Sequence, residues 1–270
     1  MAGTNESTFP YASFAKRLNS MLKVDSRRMF TTPLFYICAG VALIVPVLIL
    51  VMTTMTGETA MTDSNMGMGT EAFAYTNAWQ IIASESGADM AGMDMVSMCN
   101  INLMYFMAGV FICLFVSQDF SSGYAKNLFT VRAGKGDYVV SKTLLGFLAG
   151  SLFLMAFFAG TLLGGSFAGL SFELGAAGTG GLVMCMLAKI FLMAVFVAIF
   201  LLMSVLGRQR AWLSICLSLF GGMLLFMMVP MMTPLDSGVG NVGMCLAGGV
   251  IFAASIGVVS KLVLSKSNLV

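Results

Sequence analysis

Six apolar runs separated by polar segments of very unequal length set the frame of this chain. They lie near 33–55, 98–117, 143–164, 181–206, 211–230 and 242–260. Each is near or above the roughly 18 apolar residues that cross a bilayer as a helix. Asn100 and Asn102, at the start of the second run, mark its outer interface. The pattern predicts an all-α membrane protein with six transmembrane helices in a single transmembrane domain over 1–270. The connection 56–97 is long, polar and rich in Gly and Met, 118–142 is intermediate, and the other three are short. No internal repeat is visible at the level of single residues, so an inverted-repeat secondary transporter gains no support.

The charges orient this frame. Between Arg28 and Lys126 lie 97 residues without Lys or Arg, holding Glu58, Asp63, Glu71, Glu85, Asp89, Asp94 and Asp119. Orientation follows the placement of Lys and Arg rather than net charge. Lys16, Arg17, Lys23, Arg27 and Arg28 precede the first run and place the N-terminus in the cytoplasm. Alternation then puts Lys126, Arg132, Lys135, Lys142, Arg208, Arg210, Lys261 and Lys266 on the same side, leaving only Lys189 over. A multi-pass plasma-membrane protein with both termini cytoplasmic is expected. The first run follows a 32-residue polar lead and ends without an A-x-A-like site, unlike a cleaved signal peptide. Composition agrees: 59% of residues are hydrophobic and 10% charged, against about 25% charged in a soluble domain.

Two cytoplasmic segments are amphipathic. Residues 11–29 place Tyr11, Phe14, Leu18, Met21, Leu22 and Met29 on one helical face and Lys16, Lys23 and Arg27 opposite. That is an interfacial helix held on membrane lipid by apolar burial and attraction to anionic headgroups, or simply a positive-inside tether. In 118–142, Phe120, Tyr124, Leu128 and Val131 form a helical stripe that Gly134 and Gly136 end. This reads as a docking surface, or as a surface helix packed on its own spans.

The same segment reads Asp119…Gly123-Tyr124-Ala125-Lys126-Asn127-Leu128…Arg132…Tyr138-Val139-Val140-Ser141-Lys142. It resembles the permease subunits of type-2 ABC exporters, in which an acidic residue closes the second span, a Gly-hydroxyl-x-Lys-x-Leu run and an Arg follow, and Ser-Lys opens the third. Asp replaces the usual Glu, and Tyr124 the small hydroxyl residue. The six-span layout, the entry helix and the large first outer loop extend the resemblance along the chain. It implies that 118–142 carries a coupling helix resting in a groove of a cytoplasmic ABC ATPase subunit. Two permeases, identical or homologous, would then rock as two ATPases close. By position, Asp119, Phe120, Gly123, Tyr124, Lys126, Asn127, Leu128 and Arg132 would form that contact. Antimicrobial peptides, drugs or lipids are the substrates implied, without a choice among them.

The remaining constellations narrow the reading. A phosphate-cradling loop needs G-x-x-x-x-G-K-[ST], but Gly134-Lys135 is followed by Gly136, and Phe129 stands where the first Gly belongs. ATP and Mg are therefore expected in the partner ATPase, with no cofactor in this chain and no nucleic-acid partner. The chain has no His, which removes Ser-His-Asp and H-E-x-x-H chemistry, and an enzyme is not expected. The six Cys are widely spaced and suit apolar packing. Met61, Met66, Met68, Met90, Met93, Met95 and Met98 crowd the outer loop, and thioethers suit Cu(I). Yet Met is equally abundant in the spans, so gap-filling is preferred over a copper-related permease. Lys189 lies near the outer end of the fourth run. The preferred expectation is that it snorkels outward toward Glu173; the alternative puts it in the translocation path. Gly146/Gly150, Gly160/Gly164 and Gly249/Ala253/Gly257 allow close helix contact, taken as lying within one bundle.

Two other classes stay open: a self-contained channel or secondary transporter, and a non-transporting scaffold or sensor. The former would work without a partner, but the spans lack the mid-membrane charges that ion-coupled transporters use. The loop 56–97, long, acidic and solvent-facing, is where gating or substrate selection is expected.

Overall fold

Helices occupy all six predicted apolar runs in the computed structural model of the chain, which describes residues 13–62, 75, 77–83, 100–131, 134–175, 178–207, 210–226 and 229–266. In chain order they are α1 (Phe14–Thr31), α2 (Pro33–Thr62), α3 (Leu103–Ser121), α4 (Tyr124–Val131) and α5 (Lys135–Phe167), then α6 (Gly178–Gly207), α7 (Ala211–Phe226), α8 (Val229–Met232) and α9 (Val239–Lys266). A 3-10 turn, Ala78–Ile81, lies between α2 and α3. Among the described residues there is no β-strand, only a single parallel bridge between Asn77 and Ser171.

Five of these helices, α2, α3, α5, α6 and α9, are long and apolar enough to cross a membrane; α7 is shorter. Within the fifth predicted run, α7 reaches Phe226 and α8 begins at Val229, with 227–228 outside the described residues. α8 ends at Met232, shortly before Pro234, which has no N–H to give and whose ring crowds the carbonyl four residues back. The second run starts as a helix at Leu103, with Asn100 and Asn102 in the preceding turn.

The core sits around α3 and α6, whose apolar windows are 67% and 61% buried, while α2 and α9 flank it at 28% and 11%. Small residues set the helix separations. Gly164 on α5 has no room for a side chain, because a Cβ there would lie 2.8 Å from Val47 Cα on α2. One turn earlier, Gly160 backs onto the Leu43 carbonyl beside Pro46. Gly146 and Gly150 face Val197 and Met193 of α6, and Gly249 of α9 faces the Phe191 carbonyl. The paired glycines thus pack helices of this one chain against each other.

α1 meets expectation as a helix, and part of its apolar face is turned onto α5, while Phe14 stays exposed. Met21 and Met29 are buried there, while Lys16, Lys23 and Arg27 are exposed. Tyr11 lies outside the described residues. The 118–142 segment is more helical than a loop. α3 runs to Ser121, and Gly123 at φ 74° turns the chain directly into α4. Only a glycine adopts that backbone without strain. The turn splits the predicted stripe, leaving Phe120 on α3. Gly134 caps α5 and Gly136 lies inside it.

The loop 56–97 also departs from a solvent-facing strand of polar chain. α2 extends to Thr62, and Tyr75, Trp79, Ile81, Ile82 and Ala83 are buried. Trp79 Nε1 donates to the Phe172 carbonyl at 2.9 Å, and the Ala78 amide to the Ser171 carbonyl at 3.1 Å. The indole stacks on Phe158 of α5. This part of the loop caps the bundle at the end opposite α4. The loop methionines Met66, Met68, Met90, Met93, Met95 and Met98 lie outside the described residues, as does Arg208.

Candidate functional site

Where α1, α3, α4 and α5 meet, the sequence gathers four charges, of which Asp25, Asp119 and Lys142 are buried. Asp25 and Arg28 share one face of α1, Asp119 closes α3, and Lys142 stands two turns into α5. A carboxylate removed from water needs a cation and hydrogen bonds around it, and each acid has both. Lys142 Nζ lies 3.1 Å from Asp25 Oδ1 and 2.7 Å from Asp119 Oδ2. Arg28 closes the ring from the other side, 2.8 Å from Asp119 Oδ1 and 3.8 Å from Asp25 Oδ1. These four contacts are ion pairs by distance, without hydrogen-bond alignment. The Tyr138 hydroxyl donates to Asp119 Oδ2 at 3.2 Å and the Ser141 hydroxyl to Asp25 Oδ2 at 3.1 Å. Both acids are fully buried and Lys142 is 2% exposed. Two acids and two bases make the cluster neutral.

Aromatic faces line the cations. Lys142 Nζ sits 4.2 Å from the Phe115 ring centroid, and the Arg28 guanidinium 4.2 Å from that of Tyr124, the geometry of cation–π attraction. Burial, the largest influence, would lower the Arg28 pKa, but its interactions with Asp119, Tyr124 and Asp25 together outweigh it, and the net direction is up. Burial, reinforced by Asp25, raises the Tyr124 phenol despite the opposing Arg28. Arg28 therefore stays charged and Tyr124 neutral across physiological pH. A further ion pair, Arg17 Nε to Asp137 Oδ2 at 3.0 Å, fastens the start of α1 to the first turn of α5.

α4 hangs from this cluster. Its inward face carries Tyr124 against Arg28, fully buried Ala125, and Phe129 with its ring 5.4 Å from that of Tyr138. Its outward face presents Lys126 and Asn127, both exposed, with Leu128 half-buried between the two.

The residues expected to form one contact surface are thus divided. Lys126 and Asn127 are on the surface; Asp119 and Phe120 are interior, at 0% and 6% exposure, and Gly123 supplies the turn. Arg132 lies outside the described residues. Asp25 was not anticipated, and Arg28 was read only as an orienting charge. A signal existed for Asp25, a lone carboxylate between Met21 and Met29 on the buried face of α1. Lys142 and Ser141, read as a motif at the opening of the third span, prove to be the counterparts of the two acids.

At the opposite end, Lys189 on α6 does not reach outward to Glu173. Its side chain is fully buried, with Nζ 2.9 Å from Asn102 Oδ1 and 2.9 Å from Thr233 Oγ1. Glu173 is exposed, and its carbonyl accepts from the Asn77 side chain.

A family model described as ABC-2 family transporter protein matches residues 31–225. That is well over half of the chain. The chain belongs to the ABC-2 transporter family. It is a multi-pass membrane permease of an ABC transporter, a membrane component that associates with an ATPase component. The matched region of this ABC-2 permease takes in Asp119, Lys142 and all of α4, while Asp25 and Arg28 fall just before it. No curated protein and no solved structure matches the chain.

Proposed function

We propose that this ABC-2 permease is the membrane half of an ATP-driven exporter in which α4 is the coupling helix. Two copies, or one copy and a homologue, would face each other in the plasma membrane above two cytoplasmic ATPases. The ATPases would hold the ATP and Mg and hydrolyse the nucleotide. The observation that carries the reading is α4 itself: a short helix beneath the bundle, with polar residues outward, whose inward face rests Tyr124 on Arg28 and Phe129 on Tyr138, beside a charge cluster that ties α1, α3 and α5 together. A push on such a helix moves α1, α3 and α5 together instead of bending a loop. The sorting of Lys and Arg supports placing that end, and both termini, in the cytoplasm.

Lys126 and Asn127 are the residues for the ATPase contact. Asp119, Phe120, Gly123 and Tyr124 hold the helix in place, and Leu128 serves both faces. Substrates would be antimicrobial peptides, drugs or lipids moved by alternating access. The test is a tagged pull-down from native membranes in mild detergent, assayed for ATP hydrolysis. The expected result is a co-purifying ATPase that Lys126→Glu releases while the permease keeps its thermal stability. A chain that purifies alone and inactive, or a Lys126→Glu variant with binding and transport intact, would remove the coupling role and favour a self-contained channel.

A further inference from the structure

Lys189 is treated unlike the other buried charges among the described residues. Asp25, Asp119, Asp137 and Lys142 each sit within 4 Å of an opposite charge. Lys189, with no exposure at all, has no carboxylate at ion-pairing distance among the described residues. Its two hydrogen-bond acceptors, Asn102 Oδ1 and Thr233 Oγ1, are both neutral. An ammonium inside the membrane without a counter-ion is costly, and such groups characteristically mark a substrate or ion pathway.

The surroundings give the site its character. Asn102 lies in the turn before α3, and Thr233 in the turn after α8, between Pro230 and Pro234. Both turns converge on the same ammonium. The Thr233 hydroxyl donates to the Val229 carbonyl at 2.8 Å, so toward Lys189 it offers only a lone pair. Beside the site, Tyr105 donates to the Lys189 carbonyl and stacks on Phe196 at 4.5 Å between centroids. A single cation thus sits among neutral groups, the Asn102 amide, the Thr233 hydroxyl and the Tyr105 and Phe196 rings.

We propose that Lys189 recognises an acidic group, phosphate or carboxylate, carried on an apolar substrate. This inference rests on the export reading above and names the substrate class for it. Hydrogen bonds from a cation to an anion are roughly twice as strong as those between neutral groups. An arriving acidic headgroup therefore displaces the Asn102 and Thr233 oxygens and supplies the missing counter-charge. The exchange also frees the turns before α3 and after α8 from their shared partner, linking occupancy of the site to separation of those two segments.

The test uses the full chain, without any ATPase, in nanodiscs of zwitterionic phospholipid. Thermal unfolding is followed with dodecyl phosphate, dodecyltrimethylammonium or inorganic phosphate added. Dodecyl phosphate is expected to raise the midpoint saturably in the wild type and in Lys189→Arg. In Lys189→Met its apparent affinity should fall at least about tenfold, the lower end of what a hydrogen bond to a charged group contributes. An equal response to dodecyltrimethylammonium, or an undiminished shift in Lys189→Met, would overturn the proposal. A comparable shift with inorganic phosphate alone would overturn its apolar half. The anion preference is read on the wild type, so it decides even if Lys189→Met does not fold. Because no ATPase takes part, a failed pull-down leaves this result standing, and the reverse also holds.

Discussion

Asp119 answers to two cations at once, and removing its charge leaves both with less than they need. Breaking a buried ion pair by deleting one partner costs about 3–5 kcal/mol, because the remaining charge stays out of water uncompensated. Asp119→Asn is expected to fall in that range, read as a drop in unfolding midpoint in detergent. Lys142→Met should cost a comparable amount. The double variant should lose clearly less than the sum of the singles, since it removes both signs of one pair; strict additivity would mean that the two do not interact. Arg28 differs in kind. It is about one-third exposed, and water can take over part of its solvation.

At the scale of elements, close approach and interruption decide the architecture. α5 meets α2 through Gly160 and Gly164, and a methyl at Gly164 would sit 2.8 Å from the Val47 backbone. Gly164→Ala should therefore destabilise the bundle by about 1–3 kcal/mol, the usual cost of overpacking. Gly248→Ala on α9, with nothing within 4 Å of its added Cβ, should leave the midpoint unchanged or slightly higher, because alanine is the better helix former. A comparison of the two midpoints separates helix packing from helix propensity. The apolar runs foretold which segments would be helical, since the length and continuity of a span are local properties. The end of α8 at Met232 was also legible, in Pro234. The burial of Trp79 and Ile81–Ala83 was not. The segment is short, its neighbours are polar, and its partners at 171–173 lie some ninety residues away.

The whole molecule has two differently built ends. Around α4 the buried charges cancel; around Lys189, among the described residues, they do not. From sequence, Lys142, Asp119 and Lys189 were each visible as charges beside apolar runs. Which of them would neutralise one another depended on the placement of α3 against α5, a long-range contact that no local pattern encodes. For the same reason the interior positions of Asp119 and Phe120 could not be told from those of surface residues such as Lys126. The orientation remains a property of the chain as a whole and is directly measurable. On a Cys-free background, Lys126→Cys should react with a membrane-impermeant maleimide only in inside-out vesicles, and Glu173→Cys only in intact cells. Labelling of both from one side would contradict the arrangement.

The charge cluster also has a bearing on biogenesis. Its members reach the membrane at different times: Asp25 and Arg28 ahead of the first span, Asp119 at the end of the second, and Lys142 only with the third. Until residue 142 has been made, the cluster holds two acids against one base, Arg28. The main seat of α1 is α5, so α1 gains it only once the third span is in place. A chain arrested before that point presents Asp25 and Asp119 with one of the cluster's two bases missing.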